Sequence, residues 1–221
     1  MMRWLTAALC LVMMTVAPVR AAEWKLHADR DGIAVYNAVV PGQELRAFRG
    51  VVTVDSPLKP VLALLADTAN MPAWFFQMRS ARDVRLDGGD YIHFVIAGIW
   101  PVSDRDAVVR VSPEQQDDGT VVITVRAQPD RLPKQAGHVR IPRLESSWTV
   151  RPVSATRTEI TLTTSSDPGG ALPRWVANLV ATDMPRHTLT ALRQELRKPA
   201  YAEVDTRGSA VVKERLQRYR L

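Results

Sequence analysis

Cysteine is almost absent from this chain of 221 residues, which contains Cys10 and no other. Cys10 lies in an apolar run over residues 5–16, which follows Arg3. A cationic start, a short apolar run and the small residues Val19 and Ala21 are typical of a secretory signal, here cleaved after Ala21. The mature chain would then contain no cysteine, which excludes disulfide bonds, thiol nucleophiles and thiolate metal sites.

A membrane anchor is the alternative interpretation of residues 1–21. A spanning helix needs about 20 apolar residues, and this run is much shorter. We therefore predict a signal peptide over residues 1–21, one domain over residues 22–200 and a basic tail over residues 201–221. The mature chain is long enough for one domain with a sizeable core, and we expect it to be exported, either periplasmic or secreted.

Positive charge is neither large nor concentrated. The chain has 29 Lys and Arg against 23 Asp and Glu, a net charge of +6, and losing Arg3 and Arg20 with the signal lowers it to +4. Cations and acids are mixed, as in residues 79–83, whereas nucleic-acid surfaces cluster cations beside aromatic side chains. We expect no nucleic-acid partner, and a weak attraction to anionic membrane surfaces.

Short runs of alternating apolar residues predict a sheet of antiparallel strands. The predicted strands are residues 33–40, 45–54, 84–86, 91–99, 105–111, 121–127, 144–152 and 158–165. Ser56-Pro57 opens a predicted helix, and a second short helix surrounds Trp74. Apolar residues at helical spacing predict a long helix over residues 172–197, with Pro185 inside it. The pattern is that of an α+β domain with a helix across one sheet face.

The inner face of this sheet is aliphatic but includes one charge. Arg105 shares its strand parity with Ala107, Val109 and Val111, so the alternation turns it inward and Asp106 outward to the surface. Such a face fits either a packed core with one ion pair or a cavity with a polar end, and composition favours the packed core. Because an unpaired interior arginine is costly, a carboxylate or a ligand group should meet it.

Two specific motifs resemble the START family of lipid-transfer domains. They are Trp-Pro-Val-Ser-Asp-Arg-Asp at residues 100–106 and Asp-Pro-Gly-Gly-Ala-Leu-Pro-Arg-Trp-Val-Ala-Asn at residues 167–178. Weaker matches at residues 32–36, 46–50 and 147–150 and in the Trp74 helix extend the resemblance over residues 24–197. It implies a helix-grip fold, in which a curved antiparallel sheet wraps around a long C-terminal helix, with two short helices after the second strand. Family members enclose one apolar ligand.

The resemblance and the inward parity together single out a set of ligand-binding candidates. They are Trp74, His93, Val95, Arg105, Ala107, Val109, Ile123, Val125, Trp148, Trp175, Val176, Leu179 and Val180. Arg105 matches an arginine that, in sterol-carrying relatives, pairs with an acid on a neighbouring strand. The neighbouring strand here contains His93 and no acid, so a sterol is not implied. Arg105 and His93 either meet an anionic ligand group or are satisfied by the loop carboxylates of Asp83 or Asp90.

Two other classes of function stay open beside ligand carriage. An enzyme would use His93 and Arg105, but the other histidines (His27, His138 and His187) lie far apart in sequence and none has a paired metal spacing. An interaction module would have a filled core and bind a protein through its tail or helix. We favour a monomer that binds and transfers, or senses, a hydrophobic ligand such as a lipid, with transient membrane contact. We predict no catalytic residue, cofactor or metal.

Overall fold

The computed structural model describes residues 23–43, 45–86 and 88–221. The predicted signal peptide, residues 1–21, lies outside the described residues. The strands are β1 (Lys25–Arg30), β2 (Ile33–Ala38), β3 (Ala47–Val54), β4 (Met78–Leu86), β5 (Gly89–Ile96), β6 (Arg105–Gln115), β7 (Val121–Ala127), β8 (Val139–Arg140), β9 (Arg143–Ser154) and β10 (Arg157–Asp167). The α-helices are α1 (Leu58–Ala66), α2 (Arg174–Glu195), α3 (Pro199–Ala202), α4 (Val204–Arg207) and α5 (Ala210–Leu216), and short 3-10 helices span Thr68–Ala73 and Pro129–Arg131.

Nine strands form one open antiparallel path in the order β1-β2-β3-β10-β9-β7-β6-β5-β4, and β8 pairs with β6 in parallel. The predicted α+β class, with a large curved sheet and a long C-terminal helix, is confirmed. One strand more than predicted precedes the two short helices, because β1 was not predicted. Its residues are almost all exposed, so this edge strand lacks the apolar alternation that reveals a half-buried strand.

The long helix α2 packs closely on β3 near its C-terminal half. Leu189 and Leu192 are fully buried there, in one apolar cluster with Phe48 of β3. Gly50 of β3 makes this approach possible, since an added Cβ would lie 2.8 Å from Leu189 Cδ1 and 3.2 Å from Pro185 Cβ. None of the described helices is long and apolar enough to cross a bilayer.

The segment over residues 201–221, predicted only as a basic tail, contains the helices α4 and α5. Tyr201, Val204, Val212 and Leu216 are buried and belong to the main core, and α5 packs against α1. The Oγ of Ser209 caps α5 by accepting from the backbone N–H of Val212 at 3.3 Å. Each short helix contributes only one or two apolar anchors, which is too few to give a periodic signal.

Gly50→Ala tests the contact between α2 and β3. We expect it to lower the free energy of unfolding by about 1–3 kcal/mol, because the new methyl group overpacks a filled site. Leu189→Ala alone should cost about 2–5 kcal/mol by leaving a cavity. The double variant should lose less than the sum, because the added methyl group occupies vacated space. Urea denaturation measures all three, and strict additivity would contradict the proposed contact.

Candidate functional site

A cavity with a volume of about 190 Å³ lies between the concave sheet face, the N-terminal half of α2 and the segment after the first 3-10 helix. This volume is an order of magnitude above the roughly 10–15 Å³ that one water molecule requires. Large apolar side chains form most of the wall. They include Phe48, Met71, Phe94, Ile96, Leu172 and Met184.

The structure brings most of the sequence-predicted site residues to this cavity. Trp74, Arg105, Val109, Ile123, Val125, Trp148, Val176 and Val180 line it. His93, Val95, Ala107, Trp175 and Leu179 are not part of its lining. Whether any of these residues contacts a ligand stays a prediction.

The five candidates outside the lining have different reasons for being there. His93 and Val95 have the wrong parity, because β5 turns Ile92, Phe94 and Ile96 toward the cavity. Ala107 belongs to the same apolar cluster as the wall residues Phe94 and Val109, but its single methyl group is fully buried there.

On α2, Trp175 is half-exposed between wall residues, and Leu179 precedes Val180, which faces the cavity. Consecutive side chains of an α-helix differ in direction by about 100°, so only one side of the helix can face the cavity. Trp175 and Leu179 are therefore directed away from the cavity that Val176 and Val180 line.

Residues 97–99 also line the cavity, but they were predicted to extend the strand, which ends at Ile96. Val102 of the same loop lines the cavity too, and strand alternation does not predict the direction of a loop side chain.

Arg105 is the charged member of the cavity wall and is only 7% exposed. Its Nη1 donates to the Ser103 carbonyl, whereas its Nε has no partner. The carboxylate of the adjacent Asp104 accepts instead from Arg79 Nε at 3.0 Å and from the Gly98 backbone N–H at 2.9 Å. Burial lowers the pKa of Arg105, and the charge of Asp104 offsets part of that shift; the guanidinium stays protonated.

Asp83 and Asp90, which were predicted to be loop carboxylates that pair with Arg105, lie on β4 and β5 and are engaged elsewhere. Asp83 pairs with Arg215 at 2.7 Å and Asp90 pairs with Arg218 at 2.8 Å. Among the described residues no carboxylate lies within ion-pair distance of Arg105. Arg105 therefore lines the cavity with a buried guanidinium whose Nε lacks a protein acceptor, and a ligand oxygen that reached this atom would supply one.

A second unpartnered donor belongs to the same wall. Trp74 is 3% exposed, and its Nε1 has no hydrogen-bond partner. Its ring packs edge-on against Trp148, with ring centroids 5.8 Å apart. The wall hydroxyls differ, since Ser146 Oγ donates to the Thr163 carbonyl at 3.0 Å and pairs with Thr164 Oγ1 at 2.8 Å. These hydroxyls therefore need no hydrogen bond from a ligand.

His93 belongs to a buried polar cluster on the opposite sheet face. Its Nε2 donates to Asp106 Oδ2 at 2.9 Å, and Arg140 donates to both Asp106 oxygens at 3.0 and 2.8 Å. Arg140 also donates to the carbonyls of Leu132 and Pro133 at 2.9 and 3.0 Å, so the cluster fastens the loop before β8. Asp106, expected at the surface, is fully buried. The expectation was wrong because this loop covers the outward face of β6.

No cluster of three or more metal-ligating side chains occurs within the described ranges. The His93–Asp106–Arg140 cluster is a structural one instead. Burial raises the pKa of Asp106, but the hydrogen bonds and charges of Arg140 and His93 outweigh it and leave the pKa below its usual value. The cluster therefore contributes stability above the unfolded pKa of about 3.9, and this contribution is lost as the pH falls through the folded pKa.

Asp106→Asn should lower the free energy of unfolding at neutral pH by about 3 kcal/mol, because it leaves Arg140 buried without its counter-charge. The variant should also lose less further stability than the wild type on acidification below about pH 4. Urea denaturation across this pH range measures both effects. Glu159→Gln, which removes the exposed pair with Arg151, is the control and should cost less than about 1 kcal/mol. Equal losses in the two variants would refute this role of Asp106.

Comparison with known proteins identifies the family. The START domain sequence model matches residues 6–197. A crystal structure of a STAR-related lipid transfer protein from Xanthomonas axonopodis is 36% identical, covers 79% of this chain and 99% of its own, and superposes with a TM-score of 0.73. An uncharacterized Pseudomonas aeruginosa protein is 34% identical over 179 residues, 80% of this chain and 89% of that protein. Bovine phosphatidylcholine transfer protein is 24% identical over 165 residues, 72% and 78% of the two chains. The chain belongs to the START domain family and has its helix-grip fold.

Proposed function

We propose that this protein binds one lipid or similar apolar molecule in the cavity between the sheet and α2, and transfers or senses it without chemical change. The observation that carries the proposal is an apolar cavity whose wall includes a buried arginine with an unused donor. The names of the relatives support it, since the Xanthomonas protein is a STAR-related lipid transfer protein and the bovine protein transfers phosphatidylcholine.

Burial of hydrocarbon supplies enough free energy for this function. Transferring about 300 Å² of apolar ligand surface from water yields about 7 kcal/mol at about 25 cal/mol per Å². Ordering the ligand and the protein reduces this figure. The proposed binding therefore needs few polar contacts, and these contacts select and orient the ligand.

The cavity must widen when a ligand enters. Its volume of about 190 Å³ is below the roughly 300–1,000 Å³ of ordinary small-molecule sites. Met71, Met78 and Met184 all contribute to the wall, and unbranched methionine side chains rearrange readily. Movement of the half of α2 that spans the cavity would add further volume.

The polar end of the ligand lies at Arg105 in this proposal. A ligand oxygen that accepts from Arg105 Nε would remove the cost of a buried unused donor. The Nε1 of Trp74 offers a second donor. An apolar molecule with a carboxylate, phosphate or ester oxygen fits this wall better than a pure hydrocarbon.

Neither alternative function gains support from the structure. Catalysis by His93 and Arg105 would require both side chains to face one chamber, but His93 contacts Asp106 on the outer face of the sheet. An interaction module would have a filled interior, whereas a cavity lies beneath α2. We therefore propose a non-catalytic carrier that acts as an exported monomer.

Two tryptophans mark the proposed membrane-contacting entrance. Trp100 is 88% exposed and Trp175 is 50% exposed. Each is close in sequence to wall residues, such as Ile99 beside Trp100 and Val176 beside Trp175. Indole rings favour the boundary between water and lipid, so these two segments are suited to touch a bilayer while the ligand enters between them.

Native mass spectrometry of protein purified from its own host tests the carrier and its export together. We expect a chain that begins at Ala22 with one copurified apolar molecule. Val125→Phe should reduce the bound fraction about tenfold or more, because the larger side chain occupies space that the ligand would fill. Val122→Phe is the control at a position of opposite parity on β7 and should retain the ligand. Absence of any ligand from the wild type, or equal retention of the ligand by both variants, would contradict the carrier proposal.

Replacing both exposed tryptophans, Trp100→Ala with Trp175→Ala, tests the entrance. We expect transfer of a fluorescent phosphatidylcholine between vesicles to slow about tenfold, equivalent to about 1.4 kcal/mol of lost membrane affinity. Leu26→Ala removes an exposed apolar residue of the edge strand β1, 59% exposed, and should leave the rate unchanged. An unchanged rate in the double variant would show that the ligand enters elsewhere.

A further inference from the structure

A second, smaller pocket adjoins the far end of the main cavity. Its volume is about 60 Å³. Leu65, Ile92, Val111 and Ile123 line both spaces. Shared side chains of this kind form a thin apolar partition, which a change of rotamers can open.

The position of this pocket on the sheet identifies it as the end opposite the proposed entrance. Arg105 begins β6 beside the loop that carries Trp100, and Val111 lies six residues further along the strand. At about 3.4 Å per residue this separation is about 20 Å. Pro113, another lining residue of the small pocket, is further still.

The last residues of the chain cover the small pocket. Arg215, Arg218 and Tyr219 form its outer wall. Arg215 pairs with Asp83 at 2.7 Å and donates to Thr68 Oγ1 at 3.0 Å. These contacts fasten the segment to β4 and to the start of the first 3-10 helix.

Arg218 and Arg220 provide further attachments. Arg218 pairs with Asp90 at the start of β5 at 2.8 Å. The backbone N–H of Arg220 donates to Gln115 Oε1 at 2.8 Å, and Gln115 Nε2 donates to the Arg220 carbonyl at 3.1 Å. The C-terminal segment is thus attached to β4, β5 and β6 around the small pocket.

We propose that residues 209–221 form a stopper that closes the far end of the ligand chamber and sets the greatest ligand length that fits. The inference rests on the proposed function, in which the polar end of the ligand lies at Arg105 and its tail extends toward Val111. This segment lies beyond residue 197, where the match to the family model ends, so it adds to the matched domain.

The stopper is attached weakly enough to open without unfolding the domain. Its ion pairs join Arg215 to Asp83, Arg218 to Asp90 and, at 3.7 Å, Arg220 to Asp117, and all three are at least partly exposed. Such pairs contribute little and are screened by salt. Its buried apolar anchors are Val212 and Leu216 of the short helix α5. Segments with so few buried contacts open locally at a lower cost than global unfolding.

A cysteine at the partition reports the opening without any ligand. Val111→Cys is introduced into the chain with Cys10→Ser, and the alkylation rate by a charged maleimide is measured. Combining Arg215→Ala with Arg218→Ala should speed alkylation about five- to tenfold, the factor that two partly exposed ion pairs supply. Removing residues 209–221 should speed it further. Arg207→Ala, which breaks the exposed pair with Glu203, is the control and should leave the rate unchanged.

Ligand length provides the second measurement. Each protein is incubated with a mixture of straight-chain fatty acids and phospholipids of increasing chain length, and native mass spectrometry identifies those retained. The double arginine variant should retain longer chains than the wild type and the Arg207→Ala control. Unchanged alkylation in both the double variant and the truncated chain, or an unchanged length limit, would overturn the stopper. A wild type that retains no fatty acid or phospholipid would refute the carrier instead, and the alkylation rates would still decide whether residues 209–221 cover an opening.

Discussion

The helix α2 packs tightly against the sheet along its C-terminal half but not along its N-terminal half. Both the core and the cavity depend on this difference. In the C-terminal half of the helix, Leu189 and Leu192 are completely buried, and Gly50 lets the helix approach β3 closely. In the N-terminal half, Val176 and Met184 face a cavity instead of interlocking with strand side chains. One end of the helix therefore anchors the domain while the other spans an open space. A stable core and an internal chamber coexist because they use different parts of the same helix.

Arg105 and Asp106 are consecutive residues of β6, and they place buried charges on opposite faces of the sheet. The two charges differ in how many hydrogen-bond partners surround them. Asp106 is surrounded by donors from His93 and Arg140, which offset the cost of removing a carboxylate from water. Arg105 faces the other way and has only a backbone carbonyl as acceptor. The satisfied charge holds a loop in place. The unsatisfied one is suited to a partner that arrives from solution.

Much of the fold followed from strand parity and helical spacing. The alternation in β6 and β7 correctly placed Arg105, Val109, Ile123 and Val125 on one face, and the cavity lies against that face. Parity cannot show what covers the other face, which is why Asp106 was assigned to the surface. The same limit applies to His93, whose role depends on a loop more than 30 residues away in sequence.

The weakest sequence predictions concerned segments whose structure depends on tertiary contacts. The edge strand β1 buries almost no side chains, so only its backbone pairing with β2 defines it. The helices after α2 are short and charged, and their order comes from packing on α1 and from ion pairs with β4 and β5. No local pattern encodes contacts that join residues more than 100 positions apart.

The mutual hydrogen bond of Ser146 and Thr164 has a consequence for ligand direction. Because these hydroxyls are already hydrogen-bonded to each other, hydrocarbon can contact that part of the wall without leaving a hydroxyl unpaired. Polar attraction is then concentrated at the unused donors, chiefly Arg105 at one end of β6. A ligand with a single oxygen-bearing end would consequently bind in one favoured orientation and not in its reverse. The protein would thereby determine which end of the ligand passes the proposed entrance first.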